Sequence, residues 1–258
     1  MVWEVQKGII YGPVNSRRLG QSLGVNLLPQ RKKYCDFDCL YCHYGRTVYH
    51  QYEPGPDDIF PASKEILTEV EKALRSDIEF NYLTFSGNGE PTLHPEFAEI
   101  AQKCKELIKR HRPYVKLTLL SNSTTCNEPR IMEAMKAIDL PIMKLDAGSK
   151  ELFERINRPV IGIEFEAIVE GLCRLPNITI QALMLAGDPD NSTPEAIVDW
   201  YECLTRIKPV AVQIYTLDRP FAKRTSTGEV KIKKVDEARM AEIMAIGHEK
   251  YGLNIARY

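Results

Sequence analysis

The stretch SLGVNLLPQRKKYCDFDCLYC, residues 22–42, decides how the rest of the chain is read. Ser22–Leu28 is a short apolar run of strand character. The next helical pattern begins only at Pro61, where Ile66, Leu67, Val70 and Leu74 fall on one face of Pro61–Arg75. About 30 residues thus separate a strand from its helix, whereas ordinary strand-to-helix loops run about 2–6. A connection that long inside a compact domain is as a rule functional, and this one carries Cys35, Cys39 and Cys42.

Outward from this segment the same unit recurs, a β-rich run followed by an amphipathic helix. Asn81–Ser86 precedes Pro95–Arg110, and Val115–Ser121 precedes a helix near Glu128–Ile138. Pro141–Asp146 leads into helical pieces near Ser149–Ile156 and Glu164–Leu175. Asn177–Leu185 leads into a helix opening on Thr193-Pro194, a cap followed by proline at the first helical position. Val210–Thr216 leads into Val235–Tyr251, stopped by Gly252. Six strands alternating with helices imply an α/β fold with a parallel sheet and right-handed crossovers. Chemistry in such sheets and barrels gathers at the C-terminal strand ends, where every unusual motif of this chain falls. No composition break, repeat or low-complexity tract divides the 258 residues, so they read as a single domain. Within it, 1–21 is an N-terminal extension, 29–60 the cysteine-bearing loop region and 218–258 a C-terminal loop, helix and tail.

Composition narrows the setting. Hydrophobic residues make up 44% and charged residues 27%, as in ordinary globular proteins, and the formal net charge is −1. Such a balance gives no support for a nucleic-acid partner. No run approaches the roughly 18 apolar residues of a membrane helix. MVWEVQKGIIYGPV lacks the basic-then-apolar layout of an export signal, so a cytoplasmic location is expected. In that reducing setting clustered cysteines read as metal-binding or catalytic, and Asn-x-Ser/Thr at Asn122, Asn177 and Asn191 are chance matches.

Three thiolates on one loop can ligate three irons of a cubane cluster whose full complement is four cysteines, leaving one iron open. Cys104, Cys126, Cys173 and Cys203 are scattered and read as packing residues. Zinc would need a fourth ligand; His43 is at hand, but its position directly after Cys42 fits zinc spacing poorly. Cys39-Leu-Tyr-Cys42-His43 also matches the C-x-x-C-H of haem attachment, which normally accompanies export.

After the first strand of a six-unit β/α chain, C-x-x-x-C-x-x-C resembles the radical S-adenosylmethionine (radical SAM) superfamily. Ser86-Gly-Asn-Gly-Glu-Pro-Thr-Leu93, at the end of the second strand, is similar to that superfamily's Gly-Gly-Glu-Pro motif, with Asn88 in place of a glycine. GPVNSRRLGQSLGVNL and KLDAGSKELFERINRP add a likeness to its compact wyosine-synthase-like group. The resemblance implies a partial (β/α)6 TIM-type barrel and a [4Fe–4S] cluster on Cys35, Cys39 and Cys42. S-adenosyl-L-methionine would chelate the open iron, with Tyr41 near the adenine and the Gly87–Asn88–Gly89–Glu90 loop at its amino end; Glu90 is expected to brace that loop. It also implies reductive cleavage to a 5′-deoxyadenosyl radical, which abstracts hydrogen from a substrate, and an electron donor of flavodoxin or ferredoxin type.

Other strand ends leave more than one role open. Ser121-Asn122-Ser123-Thr124 offers either a helix cap or cofactor contacts. Asp146 is read as a ribose or substrate ligand rather than the cap of the following helix, for which Ser149 is better placed, and Lys144 is a further candidate for the cofactor site. Arg17 and Arg18 are either a carboxylate or phosphate clamp or solvated, residues 218–229 are a candidate substrate mouth, and His94 is read as a loop residue. Activation of a glycyl-radical enzyme and modification of a tRNA base are alternative activities; a noncatalytic iron–sulfur electron carrier is a reading of another class. A second clustered cysteine set, expected for wyosine synthesis, is absent from the sequence.

Overall fold

The computed structural model describes residues 2–47, 55, 58–225 and 228–258. Residues 48–54, 56 and 57 of the 29–60 loop region, and 226 and 227 of the 218–229 segment, lie outside the described residues. The chain forms two compact units. One comprises Val5–Asp36 and Val48–Ile142; the other comprises Met1–Glu4, Phe37–Thr47 and Met143–Tyr258.

In the first unit β1 (Ile10–Ser16) pairs antiparallel with β2 (Gly20–Val25). Parallel ladders then run from β2 to β3 (Tyr82–Phe85) and from β3 to β4 (Lys116–Ser121), with Val25 opposite Phe85 and Phe85 opposite Leu119. Leu83, Phe85, Leu117 and Leu119 are fully buried, as parallel strands covered on both faces require. α1 (Ser63–Arg75) turns Ile66, Val70, Ala73 and Leu74 inward, and α2 (Phe97–His111) turns in Phe97, Ile100, Ala101, Cys104 and Ile108. α3 (Pro129–Ala134) is short and ends in one 3-10 turn, and β5 (Leu140–Lys144) carries the chain into the second unit.

The N-terminal region corrects the sequence reading. Residues 10–16 are a strand rather than part of an extension, and β2 starts two residues before the expected Ser22. β1 escapes pattern recognition because a register shift between Tyr11 and Val14 takes in Gly12-Pro13 and breaks the alternation of period two. Tyr11 covers the glycine opposite it: a Cβ on Gly24 would fall 2.1 Å from the Tyr11 ring.

In the second unit α4 (Lys150–Asn157) and α5 (Phe165–Arg174) precede β6 (Thr179–Asp188), and α6 (Pro194–Ile207) joins β6 to its parallel neighbour β7 (Ala211–Thr216). The short hairpin β8 (Arg224–Thr225)–β9 (Gly228–Glu229) is followed by β10 (Lys231–Lys234), which pairs antiparallel with the end of β6. α7 (Glu237–Tyr251) and β11 (Ile255–Arg257) close the chain, β11 running parallel to β7. Helix starts follow short local rules: Ser149, Thr193 and Asp236 each accept a bond from the backbone N–H three residues on. Gly252 ends α7 in the left-handed conformation.

Candidate active site

In the first unit the glycine loop after β3 is tied to the segment before Cys35. Tyr34 N donates to Asn88 O at 2.8 Å and Glu90 N donates to Tyr34 O at 3.1 Å. Only glycine fits between them, since a Cβ on Gly89 (φ +146°) would lie 1.7 Å from Tyr34 O. Asn88 is fully buried and its side chain is spent internally: Nδ2 donates to Gln6 O and Pro29 O, both at 2.9 Å, and Oδ1 accepts from Gln6 N at 2.6 Å. The Asn88 amide is therefore a staple for the loop; its backbone N donates to Asn26 Oδ1 at 3.1 Å and its O accepts from Tyr34 N, so what the loop can offer a ligand is backbone at the flanking glycines.

Glu90 likewise braces. Oε1 accepts from Thr92 N (3.1 Å) and Thr92 Oγ1 (2.6 Å), and Oε2 accepts from Asn122 N at 2.5 Å. Burial, reinforced by the Asp36 carboxylate, pushes the Glu90 carboxyl up to about 7. Asp36, itself buried, is raised to about 6 by burial, against the opposing hydrogen bonds of Thr124 and Asn122. Its Oδ1 accepts from Asn122 Nδ2 at 2.5 Å, and its Oδ2 is buried without a hydrogen-bond partner.

The Ser121–Thr124 cluster does not cap a helix. Ser121 Oγ accepts from Ser123 N at 3.0 Å and Asn122 Oδ1 from Thr124 N at 3.0 Å, shaping the turn after β4. α3 starts later, with Glu128 at its N-cap position and no side-chain cap bond.

In the second unit Asp146, just past β5, is the hub. Its carboxylate accepts from Tyr41 OH, from Asn157 Nδ2 (2.8 Å) and from Leu183 N (2.8 Å), and pairs with Lys144 Nζ at 2.7 Å. Lys144 also donates to Tyr215 OH at 3.1 Å and lies over the Tyr41 and Tyr215 rings. Burial works against the Lys144 ammonium, but the Asp146 charge, Tyr215 and the hydrogen bonds to both together outweigh it and raise its pKa. Burial and then Asp146 hold the Tyr41 phenol well above its usual range. Three sequence-predicted residues, Tyr41, Lys144 and Asp146, are thus brought together as one charged, hydrogen-bonded group.

Sequence reasoning missed Asn157 and Asn191, which complete this group. Asn191 Nδ2 donates to Asp146 O (2.6 Å) and Leu183 O (2.9 Å), and its Oδ1 accepts from Leu185 N at 2.6 Å. Asn157 follows Phe153 and Ile156 on the buried face of α4, and a polar residue on an apolar helical face was the available signal.

None of the three loop cysteines is in a disulfide; Cys35 is buried, Cys39 and Cys42 half-buried. Cys39-Leu-Tyr-Cys42 closes a turn, Cys42 N donating to Cys39 O at 3.1 Å. Asn122 Nδ2 lies 3.8 Å from Cys35 Sγ, and Asn157 Nδ2 lies 3.5 Å from Cys39 Sγ. Soft thiols on a short loop with amide donors facing two of the sulfurs suit an iron–sulfur cluster. Among the described residues no group of three or more His, Cys, Asp or Glu side chains is gathered closely enough to hold a metal ion. The His43 ring packs instead on Trp3, with centroids 4.5 Å apart.

Several other expectations need correction. Cys104, Cys126 and Cys203 are buried packing thiols, but Cys173 is exposed on α5. His94 is no mere loop residue: it is buried, Nε2 donates to Pro61 O and Nδ1 accepts from Glu96 N, each at 3.0 Å. Burial lowers its pKa. Arg17 is exposed and Arg18 half-buried at the β1–β2 turn, where Ser16 Oγ accepts from both Arg18 N and Leu19 N. Of the three Asn-x-Ser/Thr asparagines, Asn191 is buried, Asn122 half-buried and Asn177 exposed. Among the described residues no helix is long and apolar enough to cross a membrane.

Comparison with known proteins gives these geometries a class. The Radical SAM superfamily pattern matches residues 32–204, and the chain belongs to that superfamily. It is a radical SAM enzyme, and membership of so broad a superfamily does not specify a substrate. A "UPF0026 protein" of Synechocystis sp. is 35% identical over 217 residues, covering 82% of this chain and 76% of the relative. Solved structures share the fold at low identity. "Native anSMEcpe with bound AdoMet" superposes with TM-score 0.61 at 16% identity, over 92% of this chain and 63% of that one. "TYW1 with a lysine-pyruvate adduct bound" gives 0.58 at 13%, over 90% and 75%. The α/β architecture is accordingly the partial TIM-type barrel of radical SAM enzymes, with a mostly parallel sheet.

Proposed function

We propose that Cys35, Cys39 and Cys42 hold one [4Fe–4S] cluster whose open iron takes S-adenosyl-L-methionine, and that the chain, as a single domain, abstracts a hydrogen from its substrate. The observation that carries this is the C-x-x-x-C-x-x-C spacing of Cys35, Cys39 and Cys42, lying inside the matched residues 32–204 on the loop after β2. When both groups are bound, an electron from the cluster cleaves the sulfonium to methionine and a 5′-deoxyadenosyl radical.

The chain's own residues orient and enclose. The backbone at Gly87 and Gly89, held by the Asn88 and Glu90 side chains, presents polar groups to the amino end of S-adenosylmethionine. Ser121 and Asn122 set the adjoining turn. Tyr41 offers its ring to the adenine, its hydroxyl anchored on Asp146. Asp146, with no pair-free carboxylate oxygen, acts by fixing Tyr41 and Lys144 rather than by reaching for ribose. A one-electron carrier of flavodoxin or ferredoxin type supplies the electron, in a cytoplasmic setting.

The test is direct. The chain is reconstituted anaerobically with iron and sulfide, reduced with dithionite and given S-adenosylmethionine, and 5′-deoxyadenosine is measured. Its formation, with a changed cluster spectrum on cofactor addition, is expected. No product and no spectral change would refute the proposal.

A further inference from the structure

Two asparagines share one arrangement toward a cysteine sulfur. Asn122 Nδ2 donates to Asp36 Oδ1 at 2.5 Å and lies 3.8 Å from Cys35 Sγ. Asn157 Nδ2 donates to Asp146 Oδ2 at 2.8 Å and lies 3.5 Å from Cys39 Sγ. In each case a buried carboxylate takes one amide N–H and the second faces the sulfur, which at Asn157 shares it with Tyr41 OH, also 3.5 Å away. The carboxylate also settles which end of the amide faces the thiol. Turned over, the amide would set its oxygen against a carboxylate oxygen, so the NH2 end must point inward. For Asn122 the orientation is held a second time, because Oδ1 accepts from Thr124 N (3.0 Å) and Thr124 Oγ1 (2.9 Å).

We propose that Asn122 and Asn157 set the reduction potential of the cluster by donating N–H···S bonds to Cys35 and Cys39. The inference rests on the assignment of those cysteines as cluster ligands and goes beyond it. Reduction adds one negative charge, part of which resides on the thiolates, so a donor to sulfur stabilises the reduced form more than the oxidised one. The two asparagines are positioning residues; they need not touch substrate.

The readout is the midpoint potential of the reconstituted chain, followed by electron paramagnetic resonance at fixed solution potentials. Asn122→Ala and Asn157→Ala are each expected to move the midpoint down. A tenfold drop in the reduced-to-oxidised ratio at the wild-type midpoint corresponds to about 59 mV for one electron. Thr124→Val, which loosens the Asn122 orientation without touching sulfur, is expected to give a smaller shift of the same sign. Variants that load the cluster and keep the wild-type midpoint would overturn the proposal. Where an alanine variant fails to load, wild-type chain labelled with 15N-asparagine decides: a weak 15N coupling to the reduced cluster supports the bonds, and its absence overturns them. A wild-type chain that takes up no four-iron cluster would instead sink the cluster assignment itself.

Discussion

Gly89→Ala isolates the contact between the glycine loop and the first cysteine. At φ +146° an alanine Cβ would stand 1.7 Å from Tyr34 O and 3.2 Å from the Cys35 Cβ. No rotamer can relieve a clash with a backbone oxygen, so the Tyr34–Gly89 bridge has to open. Opening it gives up the Tyr34 N–Asn88 O and Glu90 N–Tyr34 O bonds. Two such bonds contribute about 0.5–1.5 kcal/mol each, and a non-glycine residue in that backbone region costs about 1–3 kcal/mol more. The expected loss is therefore roughly 2–6 kcal/mol, against a total stability of about 5–15 kcal/mol for a typical domain. Gly162→Ala is the control. Its φ is +100° but nothing lies within 4 Å of the added methyl, so only the backbone cost applies. The difference between the variants is thus the two bridging bonds, about 1–3 kcal/mol, or about 2–4 °C in Tm per kcal/mol for a chain near this size. The assay pairs thermal unfolding of the metal-free chain with iron content after reconstitution. Gly89→Ala is expected to melt lower than Gly162→Ala and to load less iron, because the displaced backbone adjoins Cys35. Equal melting and equal loading of the two variants would refute the reasoning.

Other expectations follow from the same contacts. Asp146→Asn leaves the largely buried Lys144 ammonium without its counter-ion and is expected to cost about 3–5 kcal/mol in urea unfolding; the double variant Lys144→Met/Asp146→Leu should lose less, and a larger loss would contradict the charge argument. Thiol titration of the metal-free chain at pH 8 should modify Cys173 rapidly, while Cys104, pushed up to about 12 by burial, and Cys203, pushed up to about 11, react only in denaturant. Rapid native modification of Cys104 would show that α2 does not seal it. Glu90 has a folded pKa of about 7 against 4.5 for the free group, so the folded state binds the extra proton between those values. Its contribution to stability is full below pH 4.5 and is lost as pH rises through about 7, on the order of 3 kcal/mol in all. Glu90→Gln should flatten the slope of urea midpoint against pH over that window, and an unchanged slope would refute the assignment.

The alternation of strands and helices, the capping by Ser149 and Thr193 and the stop at Gly252 were all legible in the sequence, because each depends on residues within about one helical turn. The cysteine spacing and the abnormal loop were legible for the same reason, and they pointed to a class of chemistry that the superfamily match supports. Roles set by distant partners were not. Asn88 looks like a variant glycine in a ligand loop, yet its amide is consumed by Gln6, 82 residues away, and by Pro29. Asp146 looks like a lone ligand at a strand end, yet Tyr41, Lys144, Asn157 and Leu183 converge on it from four parts of the chain. Local sequence determines which elements form, since periodicity and caps act over a few residues. Which polar atoms remain for chemistry was decided only by tertiary structure, because a buried donor or acceptor bonds whatever the fold brings within about 3 Å, whatever the separation in sequence.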